Sequence, residues 1–182
     1  MGYRHSRDEI LEAATAVALE GGMASLTFAA VGKRLAISDR TVVYYFPTKQ
    51  DLATTVIGKL GAQLESLLET AFGAEPLSPD DLVKRAWPVL ATPATERVFC
   101  LYFEIIGLGA SSQPPYDTLA PLLIGRWVDW LTLRALGAND EAKRSGALSA
   151  VAQIDGLLLV RHLLGPEAAE AAARAAGISK EA

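Results

Sequence analysis

The feature that most limits what this chain can fold into is its punctuation. Residues that cap helices recur at Ser6, Thr27, Ser38, Thr48, Ser78, Thr92 and Asn139, and Gly165 meets Pro166 near the C-terminus. A hydroxyl or amide at a helix start accepts from one of the free backbone N–H groups of the first turn. Between these signals, apolar residues return at helical spacing and not in the alternation of a strand. The chain is therefore predicted to be all-α. Ser6 and Glu9 read as a capping box, Ile10, Ala14 and Val17 supply the stripe that follows, and Gly21-Gly22 is expected to end the first helix. Helices are expected next over Thr27 to Leu35, Ser38 to Tyr45 and Lys49 to Phe72. "SPDD" at 78 and "TP" at 92 put a proline in the first helical position of the fifth and sixth helices. The seventh, after "SSQPPYD", is placed over Leu119 to Gly137, the eighth over Asp140 to Leu164, and an alanine-rich ninth opens at "GP".

Composition agrees with a well-buried core: of 182 residues, 51% are hydrophobic and 21% charged. Cys100 is the single cysteine, which rules out an internal disulfide. "MGYRHSRDEIL" has no apolar stretch of the signal-peptide kind, and no window approaches about 18 uninterrupted apolar residues. A soluble, cytoplasmic protein that does not engage a membrane is expected. The net charge of −4 is uneven, because residues 1–59 hold seven basic and six acidic side chains and the remainder carries −5. That balance permits a small anion-binding module on an acidic body.

The densest chemistry lies in "LAISDRTVVYYFPTKQDL", residues 35–52. Two short helices joined by the step Leu35-Ala36-Ile37-Ser38 form a helix-turn-helix candidate with Val31, Leu35, Ile37, Val42 and Phe46 turned inward. Gly32, at a cost of about 1 kcal/mol relative to alanine in a helix, is explained by close approach of the third helix. Asp39, Arg40, Val43 and Tyr44 are left pointing outward, with Thr41 and Tyr45 on the flanks. Arginine can donate two bonds to guanine, aspartate can accept from cytosine, and valine can meet a thymine methyl. Lys49 and the N–H groups opening the fourth helix suit a phosphate. Read residue by residue, two adjacent tyrosines also suit half-buried packing, and Lys49 also suits a solvated surface.

Taken together, "LTFAAVGKRLAISDRTVVYYFPTKQDL" after a capped helix resembles the DNA-binding domain of the TetR family of bacterial transcriptional regulators. The resemblance covers residues 6–56, and "AQIDGLLL" at 152 is similar to late-helix sequences of that family. It implies a DNA-binding domain over 1–50 and a ligand-binding and dimerisation domain over 51–182. It further implies a homodimer on a palindromic double-stranded operator, released when a small molecule fills the second domain. Carried over by position, Asp39, Arg40 and Val43 take base-facing places, and Thr27, Thr41, Tyr44, Tyr45 and Lys49 take phosphate places. This chain departs from the family pattern at Ala36, where a turn glycine is usual, at Arg40, where a small residue or proline is common, and at Val43, where tyrosine is usual.

The C-terminal body holds Trp87, Trp127 and Trp130 with Phe99 and Phe103, beside Gly107 and Gly109. These rings either fill the core or line an apolar pocket for a lipophilic or aromatic effector, oriented by Glu104 or Asp155. Asp155, in an apolar helix, is either tied to a partner such as Arg126 or Arg161 or reaches that ligand. Dimerisation is expected through helices 7 and 8, on a face with Leu148, Val151, Ile154, Leu157 and Leu158 beside Gly146, Ala147 and Ala150. A helical enzyme or adaptor without DNA binding is the alternative. His5 and His162 have no second ligand at metal spacing, and there is no phosphate loop or nucleophile motif, so no cofactor, metal or catalytic group is expected.

Overall fold

The computed structural model describes residues 5–179, and over these the chain is a succession of helices. They are α1 (Arg7–Ser25), α2 (Phe28–Leu35), α3 (Asp39–Tyr45), α4 (Lys49–Phe72), α5 (Pro79–Leu90), α6 (Glu96–Ala110), α7 (Tyr116–Thr132), α8 (Asp140–Leu164) and α9 (Pro166–Ala175). The caps act as expected. Ser6 and Glu9 form the reciprocal capping box, and Thr27, Ser38, Ser78 and Asn139 each accept from the backbone N–H three residues on. The one bridge outside the helices pairs Leu77 with Ala135.

Three boundaries differ from the sequence reading. Gly22 breaks α1 at φ 76°, ψ 178°, but helix resumes through Ser25. α6 begins at Glu96, because Thr95 is 4% exposed with its hydroxyl donated back to the Leu90 carbonyl, which holds the preceding residues in a turn. α7 starts earlier and stops earlier than placed. The Gln113 carbonyl receives the Tyr116 N–H at 2.8 Å, and beyond Thr132 the chain turns so that Leu136 N–H reaches the Leu77 carbonyl at 2.7 Å.

The chain packs as two compact units, Met1–Gln63 with Cys100–Leu119, and Leu64–Phe99 with Ala120–Ala182. In the first, α1 packs on α2 and α2 on α3. Ile10, Met23, Leu26, Val31, Val42, Leu52 and Val56 are fully buried there and Phe46 nearly so, while Leu35 and Ile37 are half-buried. In the second, α8 packs on α5 and α9. Gly146 lies where a Cβ would come within 2.8 Å of Pro79 Cγ. Val151, Ile154, Leu157, Leu158, Ala147 and Ala150 are buried within the chain, so the α8 face expected at a dimer contact is occupied internally. By length and apolar content alone, α8 would also pass for a membrane span, and one third of its most apolar window is buried.

Candidate nucleic-acid interface

Gly32 sets how closely α3 can approach α2. A Cβ there would lie 2.9 Å from the Ile37 carbonyl oxygen and 3.3 Å from the Asp39 nitrogen. The Gly32 carbonyl in turn accepts from Ile37 N–H at 3.0 Å, which closes the turn. Ala36, at φ 55° and ψ 39°, occupies the left-handed conformation that a glycine would adopt freely. Ser38 then caps α3, accepting from Thr41 N–H at 3.3 Å and meeting the Thr41 hydroxyl at 3.0 Å.

α3 is seated by the fully buried Val42, so its other face is turned to solvent. Asp39 and Arg40 are exposed, Val43 is 38% exposed and Tyr44 80%. The Asp39 carboxylate accepts from Arg40 N–H at 2.8 Å, and so is partly engaged with its own helix end. Thr41 and Tyr45 are half-buried. Tyr45 stands edge-on to Tyr44, with centroids 5.0 Å apart, and donates its hydroxyl to the His5 carbonyl at 3.0 Å. Tyr45 therefore also ties the chain before α1 to α3. Thr27 and Lys49 are exposed at the openings of α2 and α4.

The pattern of ion pairs separates structural cations from available ones. Arg34 makes a fork to Glu20 at 2.8 and 2.9 Å, and Lys59 pairs with Glu12. Around α2, α3 and the start of α4, Lys33, Arg40 and Lys49 are exposed without an ion-pair partner among the described residues, while the exposed Arg7 of α1 lays its guanidinium over the Phe46 ring at 4.8 Å. Lys33 was not legible as a site residue, because sequence cannot tell which of Lys33 and Arg34 meets Glu20.

Residues 10–56 match the sequence model of the bacterial regulatory proteins, tetR family. That segment spans most of α1, all of α2 and α3 and the first turns of α4, so the chain carries a helix-turn-helix domain of the tetR type. Solved structures share its fold along nearly the full length. A transcriptional regulator from Rhodococcus sp. RHA1 is 23% identical with a TM-score of 0.69, over 92% of this chain and 91% of that one. A TetR transcriptional regulator from Legionella pneumophila is 23% identical with a TM-score of 0.67, over 96% of each chain. The multidrug-binding protein EbrR, solved with imidazole, is 21% identical with a TM-score of 0.68, over 100% of this chain and 95% of its own. No curated protein matches. The family model thus places a helix-turn-helix of the tetR type at residues 10–56, and the likeness to these structures shows the all-α fold of the chain.

The aromatic residues expected around an effector are spread along the chain. Trp130 packs on Phe72 (5.7 Å between centroids) and edge-on to Trp127 (5.8 Å), beneath the Arg134 guanidinium at 3.7 Å. It lines an open cleft of about 590 Å³ with Glu65, Leu122, Arg126, Asp129 and Leu133. Trp87 is 3% exposed, donates its indole N–H to Glu170 at 3.0 Å, and borders a second cleft, of about 570 Å³, with Lys84 and Ile178. Phe99 is buried, and Phe103 is half-buried, edge-on to Tyr102 at 5.4 Å. Asp155 is half-buried on α8. Glu104 accepts the Met23 N–H on both carboxylate oxygens, at 3.1 and 3.0 Å.

Proposed function

We propose that this regulator works as a homodimeric repressor on a palindromic operator in the cytoplasm and leaves the DNA when a lipophilic or aromatic molecule binds. Residues 1–50 are the reading head, and residues 51–182 the effector and dimer domain. The observation that carries the DNA reading is the set of exposed, unpaired cations Lys33, Arg40 and Lys49 on or beside the α3 surface elements. Arg40 and Val43 read bases and Asp39 assists, its carboxylate being shared with the helix end. Thr27, Thr41, Tyr44, Tyr45, Lys49 and Lys33 meet phosphates.

One recognition helix covers only a few base pairs, so two copies about one helical turn apart are needed. Support for the second copy comes from the outer faces of α7 and α8. Leu122, Arg126 and Asp129 on α7 and Leu133 just past its end are all exposed at alternating spacings of four and three. So are Ser145, Ser149, Ala152, Gly156, Leu159 and Leu163 on α8. That spacing puts each set on one outer helix face, where Leu122, Leu133, Leu159 and Leu163 are the apolar positions a second copy would cover. The effector reading rests on the rings at Trp87, Phe99, Phe103, Trp127 and Trp130, with Asp155 to orient a ligand.

A mobility-shift titration against duplex from upstream of the regulator's own gene tests the whole. If all three cations of each protomer release counterions, log affinity falls against log salt with a slope of about −5. A footprint without two-fold symmetry, or salt-indifferent binding, refutes the reading. A thermal-shift screen tests the effector arm: stabilisation and DNA release by charged, polar metabolites alone would overturn it.

A further inference from the structure

α1 breaks at Gly22, and Met23, just beyond the break, is fully buried. A backbone N–H freed from its helix in such a place must find another acceptor. It finds Glu104 of α6, 81 residues along the chain, on both carboxylate oxygens. An ionised acceptor makes this one of the stronger classes of hydrogen bond. The fit leaves no slack, because a Cβ on Gly22 would lie 2.7 Å from Glu104 Oε2. Tyr116, the first residue of α7, is held above the ordinary phenol range by burial and then by the Glu104 charge, so the same carboxylate also faces the start of α7. All of these residues belong to one compact unit.

We propose that Glu104 is the positioning residue through which α6 sets the pose of the helix-turn-helix. α1 packs on α2, and α2 on α3. A shift of α6 is therefore delivered to the recognition helix through the Met23 amide. This deepens the effector-released repressor reading and rests on it. It also gives Glu104 a role other than orienting a ligand, while leaving Phe99 and Phe103 on the same helix to sense one.

Coupling between two sites is reciprocal, so the operator itself can serve as the probe in place of an unidentified effector. Hydrogen exchange of the full chain is followed with and without the duplex that shifts in the mobility assay. In the wild type the duplex protects α3 and slows exchange in residues 100–110 at least about fivefold, the lower end of ordinary allosteric coupling. Glu104→Ala keeps α3 protection and loses the α6 response. Glu104→Gln, which retains an acceptor oxygen, keeps part of it. Gly22→Ala, which pushes the carboxylate aside, loses it by an independent route. A merely structural role for Glu104 would lower the melting temperature and leave the α6 response intact, which overturns the proposal. A wild-type α6 indifferent to DNA while α3 is protected also overturns it. A wild type whose α3 gains no protection fails the DNA-binding reading first, and the proposal falls with it.

Discussion

Gly32→Ala sets two effects of opposite sign against each other. Alanine favours a helix over glycine by about 1 kcal/mol, so on α2 alone the variant should be more stable. The new methyl, however, would lie 2.9 Å from the Ile37 carbonyl oxygen, 3.3 Å from the Asp39 nitrogen and 3.4 Å from the Ser38 carbonyl carbon. These are backbone atoms of a turn closed by the Ile37-to-Gly32 hydrogen bond, and they cannot move as a side-chain tip can. Overpacking of this kind costs about 1–3 kcal/mol, and it outweighs the propensity gain. The net loss is up to about 2 kcal/mol, or up to about 4–8 °C in melting temperature for a chain of this size. Operator affinity should fall further than stability, because relieving the contact tilts α3 away from α2. Gly107→Ala is the control: Gly107 is an exposed α6 position where a Cβ meets nothing within 4 Å, so the variant should gain up to about 1 kcal/mol. Thermal and urea denaturation give the stabilities, and fluorescence anisotropy with the operator duplex gives the affinity. A Gly32→Ala protein as stable as the wild type with undiminished affinity would refute the close-approach argument.

Ala36→Gly should raise stability by up to about 1 kcal/mol in the same denaturation assay, since the strain of the left-handed backbone exceeds the entropy glycine adds to the unfolded chain. Arg40→Ala should relax preference at particular base pairs, whereas Lys49→Ala should weaken specific and random duplexes alike and reduce the salt slope by about 1; equal losses on both DNAs for both variants would count against a base contact by Arg40. Glutamate at Leu159 or Leu163, 42% and 68% exposed, should leave the helical circular dichroism intact and give monomers in sedimentation, and an unaltered dimer would place the interface elsewhere. A charge at Ala147, 0% exposed, should instead unfold the protomer.

Local chemistry made much of this protein readable without coordinates. Ser6, Thr27, Ser38 and Asn139 sit at helix starts because a side-chain oxygen within three residues of a free N–H satisfies it whatever the rest of the chain does. Gly32 was legible for a similar reason, since a glycine inside a short helix needs a close neighbour to explain it, and the neighbour lay only a few residues ahead. The outward set Asp39, Arg40, Val43 and Tyr44 followed once Val42 and Phe46 were turned inward. What remained hidden depended on partners far apart in the chain. Which of two adjacent cations, Lys33 or Arg34, would be neutralised was decided by Glu20 on another helix. Which face of α8 would stay outside was decided by packing against elements such as α5 and α9, with Ala147, Val151 and Leu158 buried and Leu148, Leu159 and Leu163 left in solvent. Glu104, read along the sequence as an acid in an apolar helix suited to a ligand, was drawn to an amide freed 81 residues earlier by the break at Gly22. Caps and periodicity act over one or two turns and are written in neighbouring residues; the choice among faces and partners is made by packing, which joins residues that no local pattern connects.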